Sequence, residues 1–396
     1  MTFPPAEHRA RIARAAAAAR GEGFAGVVVA DPANLHYLTG YNAWSFYMPQ
    51  VLVIDATTAE VLFVAREMDA KGAHRTAMLE PHEVLGYPES TVHRRDTHPF
   101  VWAAQELRAR GWAERFAGGR VAIEGDADFF SVRSYLSLRD GLPEWEFADG
   151  HRIISWLRVI KSDAEISLMR GAGRIVSNAM AVAVDMIAAG VPQHELVAAI
   201  WHAQIAGLPG VDGDYPAIVP MLPTGGAGDT PHLTWTASPL VEGEIVSVEI
   251  AGVHRRYHAP LARSVAIGDV PRDLDRLSGI TSEGLDCTLE AIRPGRTAGE
   301  VADVYWSWLR RHGLEKNSRL GYSIGVGYPP DWGEGTISIR PEDPTVLQPN
   351  MTLHVIAGMW MSGYGCEVSE SIRVTDDGVE VLTDAPRELI RRPGSR

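Results

Sequence analysis

Glu249 lies in the apolar run Val246-Ser247-Val248-Glu249-Ile250-Ala251-Gly252. Burying a carboxylate in such a strand costs free energy unless a partner offsets it, so the residue is either specially paired or functional. A carboxylate in a dry site attacks a carbon directly or takes a proton from water. His232, in Pro231-His232-Leu233-Thr234-Trp235, is a natural proton carrier for either course, because imidazole titrates near neutrality. Taken alone, as one of 14 histidines, it reads first as a surface or structural residue. Arg255-Arg256 reads most simply as a solvated turn, and spacing assigns nothing to Tyr257 or His258.

Strands must carry these groups. The candidates are Glu244–Ala251, Tyr257–Ile267, Met351–Trp360 and Ser371–Thr375, the last turning at Asp376-Asp377-Gly378 into Val379–Leu382. Ser162 with Glu165 fits a capping box that opens a long helix, and Thr297 with Glu300 fits a second. Ile187-x2-Gly190-x4-Glu195-Leu196 recurs 105 residues later as Ile292-x2-Gly295-x4-Glu300-Val301. Each copy reads as a helix end, a glycine stop and a new helix, which fits a domain of two related halves around a cleft. Upstream, helix-like segments (Ala6–Arg20, His98–Arg110, Phe129–Arg139) alternate with strand-like ones (26–30, 51–54, 60–64, 120–124). That alternation predicts an α/β domain with its own sheet. The expected organisation is an α/β (α+β) chain with one domain over 1–156 and a second over 157–396.

The totals narrow the function. A chain of 396 residues with 45% hydrophobic content supplies full cores for two domains. With 37 basic against 50 acidic residues the net charge is −13, which disfavours nucleic acid and anionic membranes and suits a small cationic or zwitterionic substrate. Two cysteines, Cys287 and Cys366, are too few for a disulfide framework or thiolate metal cluster. The first residues lack an apolar signal core and no apolar run is long enough for a membrane span, so a cytoplasmic protein is expected.

The phrases LRVIKSDAEISLMRGAGRI at 157–175, GEIVSVEIAG, VLQPNMTLHV and SESIRVTDDGVEVLT resemble the creatinase/aminopeptidase P/prolidase (M24) family. The resemblance implies an N-terminal creatinase-like α/β domain followed by a pita-bread catalytic domain, two αββ halves around a curved antiparallel sheet. Members that use metals need five ligands, and the matching positions here are Glu249, Pro260, Tyr322, Ile356 and Ser369. Glu249 alone suits a hard divalent ion, and such ions need several donors converging on one point, so neither metal nor cofactor is expected. Creatinase, a metal-free member, is similar in carrying a histidine at His232 and an arginine at Arg340, where the resemblance implies a grip on the substrate carboxylate. Read without it, Arg340 pairs with Glu342 or Asp343.

Within the family, YNAWSFYMPQ (41–50), GDYPAIVPMLPTG (213–225), PHLTW (231–235), EIAGVHRRYHAPLARS (249–264) and GYPPDWGE (327–334) are most similar to the ectoine hydrolases, of the metal-free branch. The implied substrate is a small zwitterionic cyclic amidine, whose planar amidinium is already polarised for attack. Glu249 is then nucleophile or water-activating base, with His232 as proton carrier. Glu367 and Glu370, at a strand edge where solvated carboxylates are also common, become candidates to pair with the cation. Trp44, Phe46, Tyr47, Tyr215 and Trp332 become candidates to cover it by π contact, although such residues also fill cores. A homodimer with composite active sites and a deacetylase partner are implied as well. The competing readings are a creatinase-like amidinohydrolase and a non-catalytic peptide-binding module on the same fold.

Overall fold

β-branched and aromatic runs separated by polar turns make the first sheet. Gly26–Val29 (β1), Val51–Asp55 (β2), Val61–Arg66 (β3), Val84–Tyr87 (β4), Arg120–Ile123 (β5) and Glu146–Asp149 (β6) line up as β4-β3-β2-β1-β5-β6. β1, β2 and β3 pair antiparallel; β3–β4, β1–β5 and β5–β6 are parallel. Alternate residues feed two cores, as the two-residue period of a strand requires. Val27, Val29 and Leu52 pack with Ile12, Ala15 and Leu35, whereas Val28, Val53 and Val64 pack with Phe100, Ala104 and Leu138. The computed structural model describes residues 2–394 and divides into two units, Met1–Arg158 and Val159–Arg396. The sequence places the boundary at 156–157; the helix Ile153–Leu157 lies wholly in the first unit, so the division falls just after it.

The second unit is the pita-bread catalytic fold expected from the sequence. Its strands are Ile245–His254 (β7), Tyr257–Ile267 (β8), Gly321–Tyr328 (β9), Asp331–Ser338 (β10), Thr352–Met361 (β11), Tyr364–Val374 (β12), Val379–Val381 (β13) and Ile390–Arg392 (β14). The sheet runs β13-β12-β11-β9-β8-β14, with β7 on β8 and β10 on β9. Its pairings are antiparallel apart from β14 on β8. The helices Asp163–Met186 and Gln193–Ala206 pack on β7 and β8, and Arg272–Ala291 and Ala298–Arg311 pack with residues of β10, β11 and β12, giving each half its own core. Both capping boxes form: Ser162 and Glu165 bond reciprocally at 3.3 and 2.8 Å, Thr297 and Glu300 at 3.1 and 2.8 Å.

The sequence echo is a repeated piece of three-dimensional structure. Gly190 and Gly295 adopt φ of +87° and +86°. Gly190 N–H donates to Leu240 O at 2.8 Å and Leu240 N–H returns to Val191 O at 2.8 Å; Gly295 and Leu347 make the same exchange with Arg296 at 3.0 and 2.8 Å. Each exchange ties a helix start to the chain entering β7 or β11, so both halves deliver their strands to the cleft in the same way.

Candidate active site

Glu249 is central in β7, opposite Ala262 of β8, and is 5% exposed. It lines a cavity of about 460 Å³ together with His232, Arg319, Tyr322, Asp331, Trp332, Ile356, Trp360 and Glu367. Every residue of that lining belongs to the second unit. β7 brings Glu249, β12 brings Glu367, the β9–β10 hairpin brings Tyr322, Asp331 and Trp332, and the loop after the 3-10 turn Gly225–Asp229 brings His232. Residues distant in sequence meet because antiparallel strands of both halves converge here.

The cavity is acidic, lined by Glu249, Asp331 and Glu367. Burial, followed by the charge of Asp331, pushes the Glu249 carboxyl up to about 7. Burial and then the charge of Glu249 hold Glu367 well above the usual carboxylate range, with Lys316 acting the other way. Both carboxyl oxygens of Glu367 are buried without a hydrogen-bond partner. Lys316 donates to Gly358 O at 2.5 Å and stands 4.6 Å from the Trp360 ring centre; burial lowers its ammonium to about 7. Two carboxyls that burial holds towards the neutral form can receive a cation, because a cation beside them favours their ionisation.

The five positions that hold ligands in metal-using relatives do not suit a metal pair here. Pro260 offers only its carbonyl, which accepts from Ser371 Oγ at 2.7 Å. Ile356 is apolar, and Tyr322 and Ser369 are both bonded to His354, at 3.0 and 2.7 Å. No group of three or more His, Cys, Asp or Glu is gathered to hold a metal ion among the described residues. Hard ions need such convergence, and the donor set lacks it.

Glu249, His232, Glu367 and Trp332, all expected from the sequence, meet at the cavity. The other candidates stand elsewhere. Glu370 is not a solvated edge residue: it is 1% exposed, and Arg263 at 2.7 Å and Arg387 at 2.9 Å already neutralise it, leaving no charge for an amidinium. Glu367 is likewise buried, because β12 begins at Tyr364 and places both glutamates inside the sheet. Arg340 is exposed, bonds Ser338 Oγ at 3.0 and 2.8 Å, and is outside the cavity lining. Tyr215 holds the Arg256 guanidinium 3.9 Å from its ring centre, with Tyr328 at 4.4 Å, so Arg256 is a fully buried stacked cation rather than part of a solvated turn. In the first unit, Trp44 and Tyr47 are 57% and 61% exposed on the short helix Trp44–Tyr47, while Phe46 is buried against Phe129.

His258, unassigned from the sequence, is structural. Its Nε2 accepts from Ala217 N–H at 3.0 Å, and burial, then Arg256, keeps it neutral. Tyr257 donates to Glu165 at 2.8 Å. Sequence reasoning passed over Arg319 and Asp331, and treated Tyr322 only as a lost metal ligand. Arg319 sits 4.3 Å from the Tyr322 ring centre and makes neither ion pair nor hydrogen bond among the described residues. It gives the cavity an anion-binding group opposite in sign to its carboxyls.

No helix among the described residues is long and apolar enough to cross a membrane. Residues 167–377 match metallopeptidase family M24, and residues 11–160 match the creatinase/prolidase N-terminal domain. An ectoine hydrolase of Halomonas elongata is 40% identical over 98% of both chains. An uncharacterized hydrolase/peptidase of Sinorhizobium fredii is 35% identical, again over 98% of both. Among solved structures, a prolidase from Thermococcus sibiricus superposes with a TM-score of 0.83 at 21% identity, covering 96% of this chain and 98% of its own. The dipeptidase PepE of Mycobacterium ulcerans gives 0.80 at 22% identity over 99% of both. At these identities the structural likeness speaks for the fold alone.

Proposed function

The chain belongs to metallopeptidase family M24 and is a hydrolase acting on C–N bonds, and from that premise we propose that it hydrolyses ectoine to N-acetyl-L-2,4-diaminobutyrate without a metal ion. The observation that carries this reading is that Glu249 lines one cavity with Glu367, whose carboxyl oxygens have no hydrogen-bond partner among the described residues. A planar amidinium enters that cavity as a counter-charge to both carboxyls. Once it binds, Glu249 ionises and either takes a proton from the water that adds to the carbon between the two nitrogens, or adds to that carbon itself and is released when a water attacks the intermediate and the Glu249–carbon bond breaks. His232 gives a proton to the departing ring nitrogen, which leaves as an amine, so one water is consumed and one C–N bond breaks. The substrate carboxylate falls to Arg319, which lines the cavity where Arg340 does not.

The identity to a named ectoine hydrolase supports the substrate; the donor set at the five ligand positions supports metal independence. Trp44 and Tyr47, exposed on their short helix, are the aromatics we assign to a second copy's site in a homodimer. The N-acetylated product calls for a deacetylase downstream. The test is purified protein incubated with ectoine in EDTA and followed by NMR. Ring opening that is insensitive to the chelator is expected, and turnover of creatine but not ectoine would overturn the assignment.

A further inference from the structure

A hydrogen-bond chain links two of the former ligand positions. Ala262 N–H donates to Ser369 Oγ at 2.7 Å, Ser369 Oγ lies 2.7 Å from His354 Nε2, His354 Nδ1 lies 3.0 Å from Tyr322 Oη, and Trp332 Nε1–H donates to Tyr322 Oη at 2.8 Å. The direction of the middle links follows from donor counting. Burial, then the charges of Arg319 and Arg263, lower His354 to about 3, so its ring is neutral and carries one N–H. Ser369 is fully buried, and among the described residues its hydroxyl has no acceptor other than His354 Nε2. If Nε2 carried the proton, the serine hydroxyl hydrogen would be buried and unmet, which is costly. Ser369 therefore donates to Nε2, and His354 donates from Nδ1 to Tyr322 Oη.

Tyr322 Oη thus accepts two hydrogen bonds, from His354 and Trp332, and its own proton has no acceptor among the described residues. Tyr322 is half-buried, lines the cavity with Glu249, and is T-shaped against His354 at 5.3 Å. We propose that Tyr322 is a catalytic hydrogen-bond donor, its hydroxyl aimed into the cavity at the oxygen that adds to the amidine carbon, and that Ser369 and His354 are positioning residues that fix that direction. Burial and then the charge of Glu249 hold the phenol well above its ordinary value, so it keeps its proton through the cycle. A preorganised donor of this kind serves where charge develops and needs no reorganisation at the moment of reaction. The identity of the reacting oxygen rests on the ectoine reading; the direction of the chain does not.

Two measurements test this. In histidine-labelled protein, nitrogen NMR of the resting enzyme reads the His354 tautomer, its signal identified by loss in His354→Gln. A proton on Nδ1 is expected, and a proton on Nε2 overturns the proposal whether or not ectoine is the substrate. In turnover, Tyr322→Phe is expected to lower kcat about 100-fold with KM changed by less than about threefold, and Ser369→Ala, which frees His354 to switch tautomer, to lower kcat while the protein stays folded. Wild-type kcat in Tyr322→Phe overturns the proposal, whereas failure of the wild type to open ectoine overturns the substrate and leaves the tautomer to decide the donor.

Discussion

Glu249 makes stability depend on pH in a direction opposite to that of an ordinary surface carboxylate. Its folded-state value is raised from 4.5 to about 7, chiefly by burial. The neutral form is the comfortable one, so its contribution is fully present below 4.5 and is lost as pH rises through about 7, at a cost on the order of 3 kcal/mol when fully charged. Glu249→Gln removes the titration. Its melting temperature relative to wild type, measured without substrate, should therefore climb by several degrees between pH 5 and pH 8, and a flat difference would show that Glu249 is not held neutral. Glu249 was legible in the sequence because a lone carboxylate interrupts an apolar strand. Glu370 misled because the arginines that neutralise it, Arg263 and Arg387, lie 107 and 17 residues away. Arg319 and Asp331 carried no local signal, since only the fold turns them toward the cavity.

Elements were legible where periodicity and caps agreed. The two capping boxes and the strands β7, β8 and β11 follow from local pattern alone. The β9–β10 hairpin escaped because Gly321, Gly325, Gly327, Pro329, Pro330, Gly333 and Gly335 read as turns. Yet that hairpin supplies Tyr322, Asp331 and Trp332; in Gly325 a Cβ would sit 2.5 Å from Glu334 Oε1, so the glycine there serves close packing of a strand. The repeated glycine stops make a prediction at this scale. Gly190 and Gly295 have the same left-handed backbone and open space where a Cβ would point. Alanine at either position then costs conformational strain alone, about 1–2 kcal/mol, and the two losses should match in chemical denaturation. Markedly unequal losses would mean that the two halves do not share this junction.

At the scale of the molecule, we propose an M24 scaffold that works without M24 metal chemistry. The fold of the prolidases and dipeptidases persists across nearly the whole chain, while four of the five positions that the family resemblance matches to metal ligands carry Pro260, Tyr322, Ile356 and Ser369. Fold does not fix function; the site does. What the scaffold retains is a cleft where two halves converge, and two buried carboxyls, Glu249 and Glu367, line it within a chain of net charge −13, which favours the approach of a cation. The most direct test of this chemistry is ectoine turnover by Glu249→Gln, followed by NMR beside the wild type. Ring opening should fall by at least about 1,000-fold in a protein that still folds; ring opening at the wild-type rate would contradict the role given to Glu249.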